Sequence, residues 1–148
     1  MGKTPIVWQE AYDKYGKGTF GYGYTPPHLD KHTIVQMWEG WPGTARLSDL
    51  AAKKFPMIRS YDWYLDNGED NDWMQRYRVD PVDGLNGEAA TYIKGGEACL
   101  WGEHIDQTNL FSRAYPRLSA VAERLWSPEE VAESGRRPSE FIECVFAY

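Results

Sequence analysis

Four short apolar runs limit what this chain can fold into: Ile6-Val7-Trp8, Thr33-Ile34-Val35-Gln36-Met37-Trp38, Phe55-Pro56-Met57-Ile58, and Tyr92-Ile93 through Ala98-Cys99-Leu100-Trp101. They recur at intervals of roughly thirty residues, the length of a strand-helix unit. Continuous apolar strands are expected where both faces of a sheet are covered, as in parallel sheets. The rhythm implies an α/β chain of about four βα units. At 148 residues the chain is shorter than the roughly 200 to 250 residues of a complete (β/α)8 barrel. A whole barrel does not fit.

Between the runs, helical signals are uneven. Residues 44–54 place Leu47, Leu50 and Ala51 at helix spacing, with Lys53 and Lys54 in the last turn and Pro56 beyond as a stop. The strongest helix spans 116–126, where Leu118, Val121, Ala122 and Leu125 fall on one face and are expected to be its buried side. Residues 14–31 are rich in Gly, Tyr and Pro and read as an extended loop where the first unit should have its helix. Residues 66–87 concentrate turn formers and predict a long loop with one helical turn near 73–77.

Several function classes lack their residues. A net charge of −6 leaves no basic stripe for nucleic acid. No apolar run approaches the roughly 18 residues that span a bilayer, and the start lacks a signal-peptide core. His28, His32 and His104 have no metal spacing, so neither a metal nor a cofactor is expected. Gly16-Lys17-Gly18-Thr19-Phe20-Gly21 matches GxGxxG but is followed by more Gly, Tyr and Pro instead of a helix. Ser112, Ser119 and Ser127 lack a nucleophile elbow. Cys99, in an apolar run, reads as a buried thiol; Cys144 lies near the end of the sequence.

The aromatic residues at the strand ends carry more chemistry. In a parallel barrel the C-terminal strand ends face one mouth, where the ligand sits. Trp8, Trp38, Trp63 with Tyr64, and Trp101 are therefore expected to converge on one pocket. Any one of them alone is more readily a core aromatic under a loop; four at corresponding positions favour the pocket. Asp66 follows Tyr64 by two residues, and Glu103 follows Trp101 by two. Indole faces stack on the C–H face of a pyranose, and carboxylates accept from its hydroxyls. Arg113, Arg117 and Arg124 read as anchors of the last helix through nearby carboxylates.

The stretch Gly95-Gly96-Glu97-Ala98-Cys99-Leu100-Trp101-Gly102-Glu103, with Asp106, Asn109 and Ala122-Glu123-Arg124-Leu125-Trp126, resembles family 20 glycoside hydrolases, the β-N-acetylhexosaminidases. Ile6-Val7-Trp8-Gln9-Glu10, Trp38 and Trp63-Tyr64-Leu65-Asp66 extend the resemblance over most of the chain. It implies the C-terminal half of a (β/α)8 TIM barrel, with 1–127 as a partial catalytic barrel and 128–148 as a divergent tail. It implies that Trp8, Trp38 and Trp101 wall the terminal N-acetylhexosamine, with Trp63 beside them. Tyr64 would donate to the acetamido carbonyl oxygen, and Asp66 and Glu103 would bind sugar hydroxyls. The family hydrolyses terminal N-acetylhexosamines with retention, the substrate's own acetamido oxygen acting as nucleophile. Its adjacent Asp-Glu pair matches no Gly-Gly-Asp-Glu run here, so the isolated chain is expected to be inactive. The partners implied are N-acetylhexosamine-terminated glycans and a possible dimer of the full-length protein, in a lysosomal or secreted setting. The alternative is a non-catalytic N-acetylhexosamine-binding fragment or a half-barrel that needs a partner.

Overall fold

The computed structural model describes residues 2–16, 29–40, 43–68 and 72–133. The glycine-rich stretch 17–28 with His28, residues 69–71 and the tail from 134 with Cys144 lie outside the described residues. The chain divides into two compact units: Met1–Tyr61 with Pro81–Glu97, and Asp62–Asp80 with Ala98–Tyr148.

The first unit holds a parallel sheet, β1 (Ile6–Trp8), β2 (Ile34–Met37), β3 (Met57–Arg59) and β4 (Ile93–Gly96), in the order β1-β2-β3-β4. Registers run Val7 beside Val35, Val35 beside Met57 and Met57 beside Ile93. Each strand begins within one of the four apolar runs, although β3 continues one residue past its run to Arg59 and the last run leaves the sheet at Gly96. Val35, Met37 and Met57 are fully buried, together with Leu47 and Leu50 from helix α2 (Gly43–Ala52). The spacing of Leu47, Leu50 and Ala51 therefore does what an amphipathic helix requires.

Helix α2 stops at a left-handed residue. Lys54 has φ 61°, its N–H donates to Ala51 O, and the Phe55 N–H reaches back to Leu50 O at 3.0 Å. This is a Schellman cap, with Phe55 and Leu50 both in the core cluster. Lysine occupies a position that usually falls to glycine.

The expectation that residues 14–31 form an extended loop in place of the first unit's helix needs correcting at 14–16. Helix α1 (Gln9–Gly16) follows β1 at once. Its Tyr12 is buried edge-on against Phe55, and the Tyr12 hydroxyl donates to Asp49 at 2.7 Å. One aromatic anchor and a Gly-free, Pro-free stretch as far as Gly16 suffice for two helical turns.

The second unit is mostly helical: α3 (Trp73–Arg78), α4 (Leu110–Ala114), α5 (Arg117–Trp126) and α6 (Glu129–Glu133). The turn expected near 73–77 is α3. Two extended segments pair beside these helices. Cys99 N–H donates to Trp63 O at 2.9 Å and Leu65 N–H to Cys99 O at 2.7 Å, giving a parallel bridge of Tyr64 with Cys99. Cys99 is half-buried. Among the described residues no helix is long and apolar enough to cross a membrane.

Helix α5 is turned about its axis relative to its apolar spacing. Its buried residues are Arg117, Ala120, Val121 and Arg124, whereas Leu118 and Ala122 are exposed and Trp126 is 90% exposed. The reason is polar. Arg117 and Arg124 sit seven residues apart on one face, and both find acceptors inside the unit: Asp72 and Leu65 O for the first, Val79 O and Asp80 for the second.

Candidate functional site

In the second unit, the two paired segments sort their side chains by the two-residue period of extended backbone. Trp63 and Leu65 point into a core with Val121, with Ala98 and Leu100 packed against it. Tyr64 and Asp66 are left half-buried, Trp101 is 43% exposed and Glu103 is exposed. Asp66 also ties the two segments, because its Oδ1 accepts the Trp101 backbone N–H at 3.2 Å. The structure thus brings Tyr64, Asp66 and Trp101 together on neighbouring segments, with Glu103 in the turn that follows.

Trp63 does not join them at the surface. Its side chain is fully buried and its Nε1–H donates to Arg76 O at 3.0 Å. The expected wall residue is a core residue, placed there by alternation with Tyr64.

The loop after Trp101 is fixed at its far end by Asp106, whose Oδ1 accepts from the Thr108 hydroxyl at 2.6 Å and the Thr108 N–H at 2.7 Å. Those Thr108 bonds, the hydroxyl first, hold the Asp106 carboxyl below its ordinary value. Asn109 reaches back to His104 O at 2.9 Å. The turn carrying Glu103 is therefore braced from inside.

In the first unit, the C-terminal ends of the strands carry another set. Trp8 ends β1 and is 58% exposed, while Trp38 follows β2 and is half-buried. The Trp38 indole N–H donates to Glu10 Oε2 at 2.8 Å, so a carboxylate on α1 sets the ring. Gln9, almost completely buried, accepts the Glu39 N–H at 3.2 Å and donates to Asp13, which is ion-paired with Arg46. Gln36 donates to Glu97, joining the ends of β2 and β4. The aromatic-and-acid pattern at the strand ends does not single out Gln9, Glu10, Gln36 or Glu97. The available signal was position, since Gln9-Glu10 and Glu97 directly follow strands. Among the described residues no group of three or more His, Cys, Asp or Glu side chains could hold a metal ion.

Parallel strands ending in aromatic side chains, with carboxylates and amides beside them, combine the apolar and polar groups from which ligand sites are built. Comparison with known proteins names the class: residues 1–129 match the glycosyl hydrolase family 20 catalytic domain, and the chain belongs to that family. The chain is similar to β-hexosaminidase subunit β from Felis catus (45% identity over 136 residues, 90% of this chain and 23% of the relative). The subunit β from Homo sapiens is 42% identical, again covering 90% of this chain and 22% of that protein. Among solved structures, the Flavobacterium johnsoniae chitobiase superposes with a TM-score of 0.67 at 28% identity, covering 90% of this chain and 19% of that one. The Streptomyces coelicolor β-N-acetylhexosaminidase gives a TM-score of 0.62 at 25% identity, covering 93% and 31%. The chain therefore spans under a quarter of the length of the two β-hexosaminidase subunits, at 22–23%.

Proposed function

We propose that this chain supplies sugar-holding parts of a β-N-acetylhexosaminidase, a longer protein that removes terminal non-reducing N-acetyl-D-hexosamine residues from N-acetyl-β-D-hexosaminides. The observation that carries the reading is the pairing of segments 63–66 and 98–101, which buries Trp63 and Leu65 and leaves Tyr64, Asp66 and Trp101 accessible. The four parallel strands are read as half of a (β/α)8 barrel, an arrangement that places ligand contacts at strand C-termini.

In this reading, Trp8, Trp38 and Trp101 offer indole faces to the apolar side of the sugar and its acetamido methyl. Tyr64 donates its hydroxyl to the acetamido carbonyl oxygen. Asp66 and Glu103 accept from ring hydroxyls, with Asp66 doing so while holding the Trp101 N–H. Trp63 acts from beneath, as the packed support of the Tyr64 segment. The acetamido oxygen attacks C1, the C1–O bond to the leaving group breaks, and a carboxylic acid protonates the departing oxygen. Water then opens the oxazolinium ring with retention. Tyr64 would hold the acetamide for that attack, and a preorganised donor of this type is worth about 3 to 4 kcal/mol in the transition state. The Asp-Glu pair that orients the acetamide and moves the proton comes from outside these residues, so the chain alone binds without turnover. A lysosomal or secreted setting and a dimeric full-length enzyme belong to the same reading.

Calorimetric titration of the purified chain with N-acetylglucosamine, alongside an assay on an aryl N-acetylglucosaminide, tests it. The reading requires binding that Trp101→Ala weakens, and no chromophore release. No heat at millimolar sugar would remove the binding role. Release of chromophore that is lost on substituting Tyr64 would overturn the division of labour.

A further inference from the structure

The segment that carries Tyr64 and Asp66 is held by a polar network. Arg117 donates from Nη1 to Leu65 O at 2.7 Å, and its Nε stands 2.6 Å from Asp72 Oδ1. The second oxygen of Asp72 takes Arg76, from Nη2 at 2.8 Å and from Nε at 3.1 Å. Arg76 in turn donates to Asp62 O at 2.6 Å and to Asn67 O at 3.1 Å. With Cys99 N–H on Trp63 O, carbonyls on both sides of Tyr64 and Asp66 are pinned, and the triad holds three of them.

The placement of Arg117 is expensive. Its side chain is 1% exposed, and removing a guanidinium from water costs several kcal/mol per ion before its partners offset it. It also occupies the first position of α5, where the helix dipole disfavours a cation. Neither helix stability nor burial of apolar area explains a cation there. Pairing with the Asp72 carboxylate while donating to the Leu65 carbonyl does, because the guanidinium is planar and presents its donors in fixed directions.

We propose that Arg117, coupled through Asp72 to Arg76, is the positioning residue for Tyr64 and Asp66. It sets where the acetamide donor and the hydroxyl acceptor stand without touching the sugar. The inference rests on the reading of Tyr64 and Asp66 as sugar contacts.

The test is Arg117→Lys, which keeps a cation for Asp72 but has no second, rigidly directed donor for Leu65 O. Two readouts separate the claims. Amide hydrogen exchange, resolved by residue, should accelerate about ten-fold at Leu65 and Trp101, the loss of roughly one charge-assisted hydrogen bond, while Val35 in the first unit is unchanged. The preference for N-acetylglucosamine over glucose should shrink by a similar factor, a change that a merely structural role would not produce. Unchanged exchange at Leu65 and Trp101 would overturn the clamp. Accelerated exchange with an unchanged sugar preference would overturn its role in recognition. If the unmutated chain binds neither sugar, the proposed function falls, and the exchange data alone decide whether Arg117 holds the segment. Should Arg117→Lys fail to fold, Arg76→Lys, at a side chain 16% exposed, releases Asp62 O and Asn67 O and carries the same expectations.

Discussion

Asp72→Asn is the sharpest perturbation of the second unit, because it changes charge while leaving volume almost untouched. In the native side chain Oδ1 faces Arg117 and Oδ2 faces Arg76. Asparagine can present its one oxygen to only one of them and turns an NH2 group, donor to donor, toward the other. No cavity forms, so the cost is electrostatic. Arg117 is 1% exposed and would be left with no carboxylate among the contacts described. Breaking a buried pair by removing one partner costs about 3 to 5 kcal/mol, a large share of the roughly 5 to 15 kcal/mol that holds a domain folded. With a urea m-value of about 1 to 3 kcal/mol/M, the unfolding midpoint should fall by roughly 2 M. Asp13→Asn is the control. Its partner Arg46 and Asp13 itself are 14% and 20% exposed, against 1% for Arg117, so water screens this pair more and the loss should be smaller, about 1 kcal/mol. Urea titrations followed by far-UV circular dichroism measure both. Equal shifts, or a loss below about 1 kcal/mol for Asp72→Asn, would refute the view that this triad is a buried, mutually dependent unit.

Lys54→Gly should stabilise the chain by about 0.5 to 1 kcal/mol, since glycine holds a left-handed cap without Cβ strain; a lower melting temperature would show that the Lys54 side chain outweighs its φ of 61°. Glu10→Ala frees the Trp38 indole and should weaken N-acetylglucosamine binding about five-fold, the worth of one hydrogen bond. Glu10→Gln keeps an acceptor and should recover most of the loss, so equal losses in the two variants would disconnect the bond from binding. Above pH about 10 the chain should lose stability. Burial chiefly raises the Tyr12 hydroxyl, and hydrogen bonds to Tyr12 and Asp49 raise the Lys53 ammonium. Groups raised in the folded state contribute stability that is complete below their ordinary values and is lost as pH climbs through the raised ones. Melting curves of Tyr12→Phe against pH should be flatter on the alkaline side than those of the unsubstituted chain, and parallel curves would contradict the assignment.

The strands were legible because a parallel sheet demands apolar runs, and each of the four strands begins within one. Helix α2 was legible because Leu47, Leu50 and Ala51 answer to the sheet beside them. Helix α5 was legible in extent but not in rotation. Apolar spacing counts every arginine as outward, and the partners that draw Arg117 and Arg124 inward, Asp72 and Asp80, are distant in sequence. Trp63 was misplaced for a local reason that the sequence does contain. Neighbours on extended chain face opposite ways, so if Tyr64 and Asp66 are accessible, Trp63 and Leu65 are not. The Asp66 to Trp101 bond could not be anticipated, because no residue pattern gives the register of two segments thirty-five positions apart.

That difference between legible and illegible parts has a physical basis in the forces involved. Apolar burial is non-directional and scales with area, so it fixes which residues go inside but tolerates sliding and rotation. A sugar contact needs a hydroxyl and a carboxylate placed to within a fraction of an ångström, because hydrogen bonds weaken steeply as distance and angle depart from ideal. The segment bearing Tyr64 and Asp66 rests on an apolar floor of Trp63, Leu65 and Val121, yet its backbone is held by Arg117, Arg76 and the Cys99 ladder. The floor supplies stability and the polar bonds supply position. The chain therefore sets the buried Arg117–Asp72 pair beneath Tyr64 and Asp66, where placement counts, whereas the Leu47, Leu50 and Met57 side chains need only apolar contact.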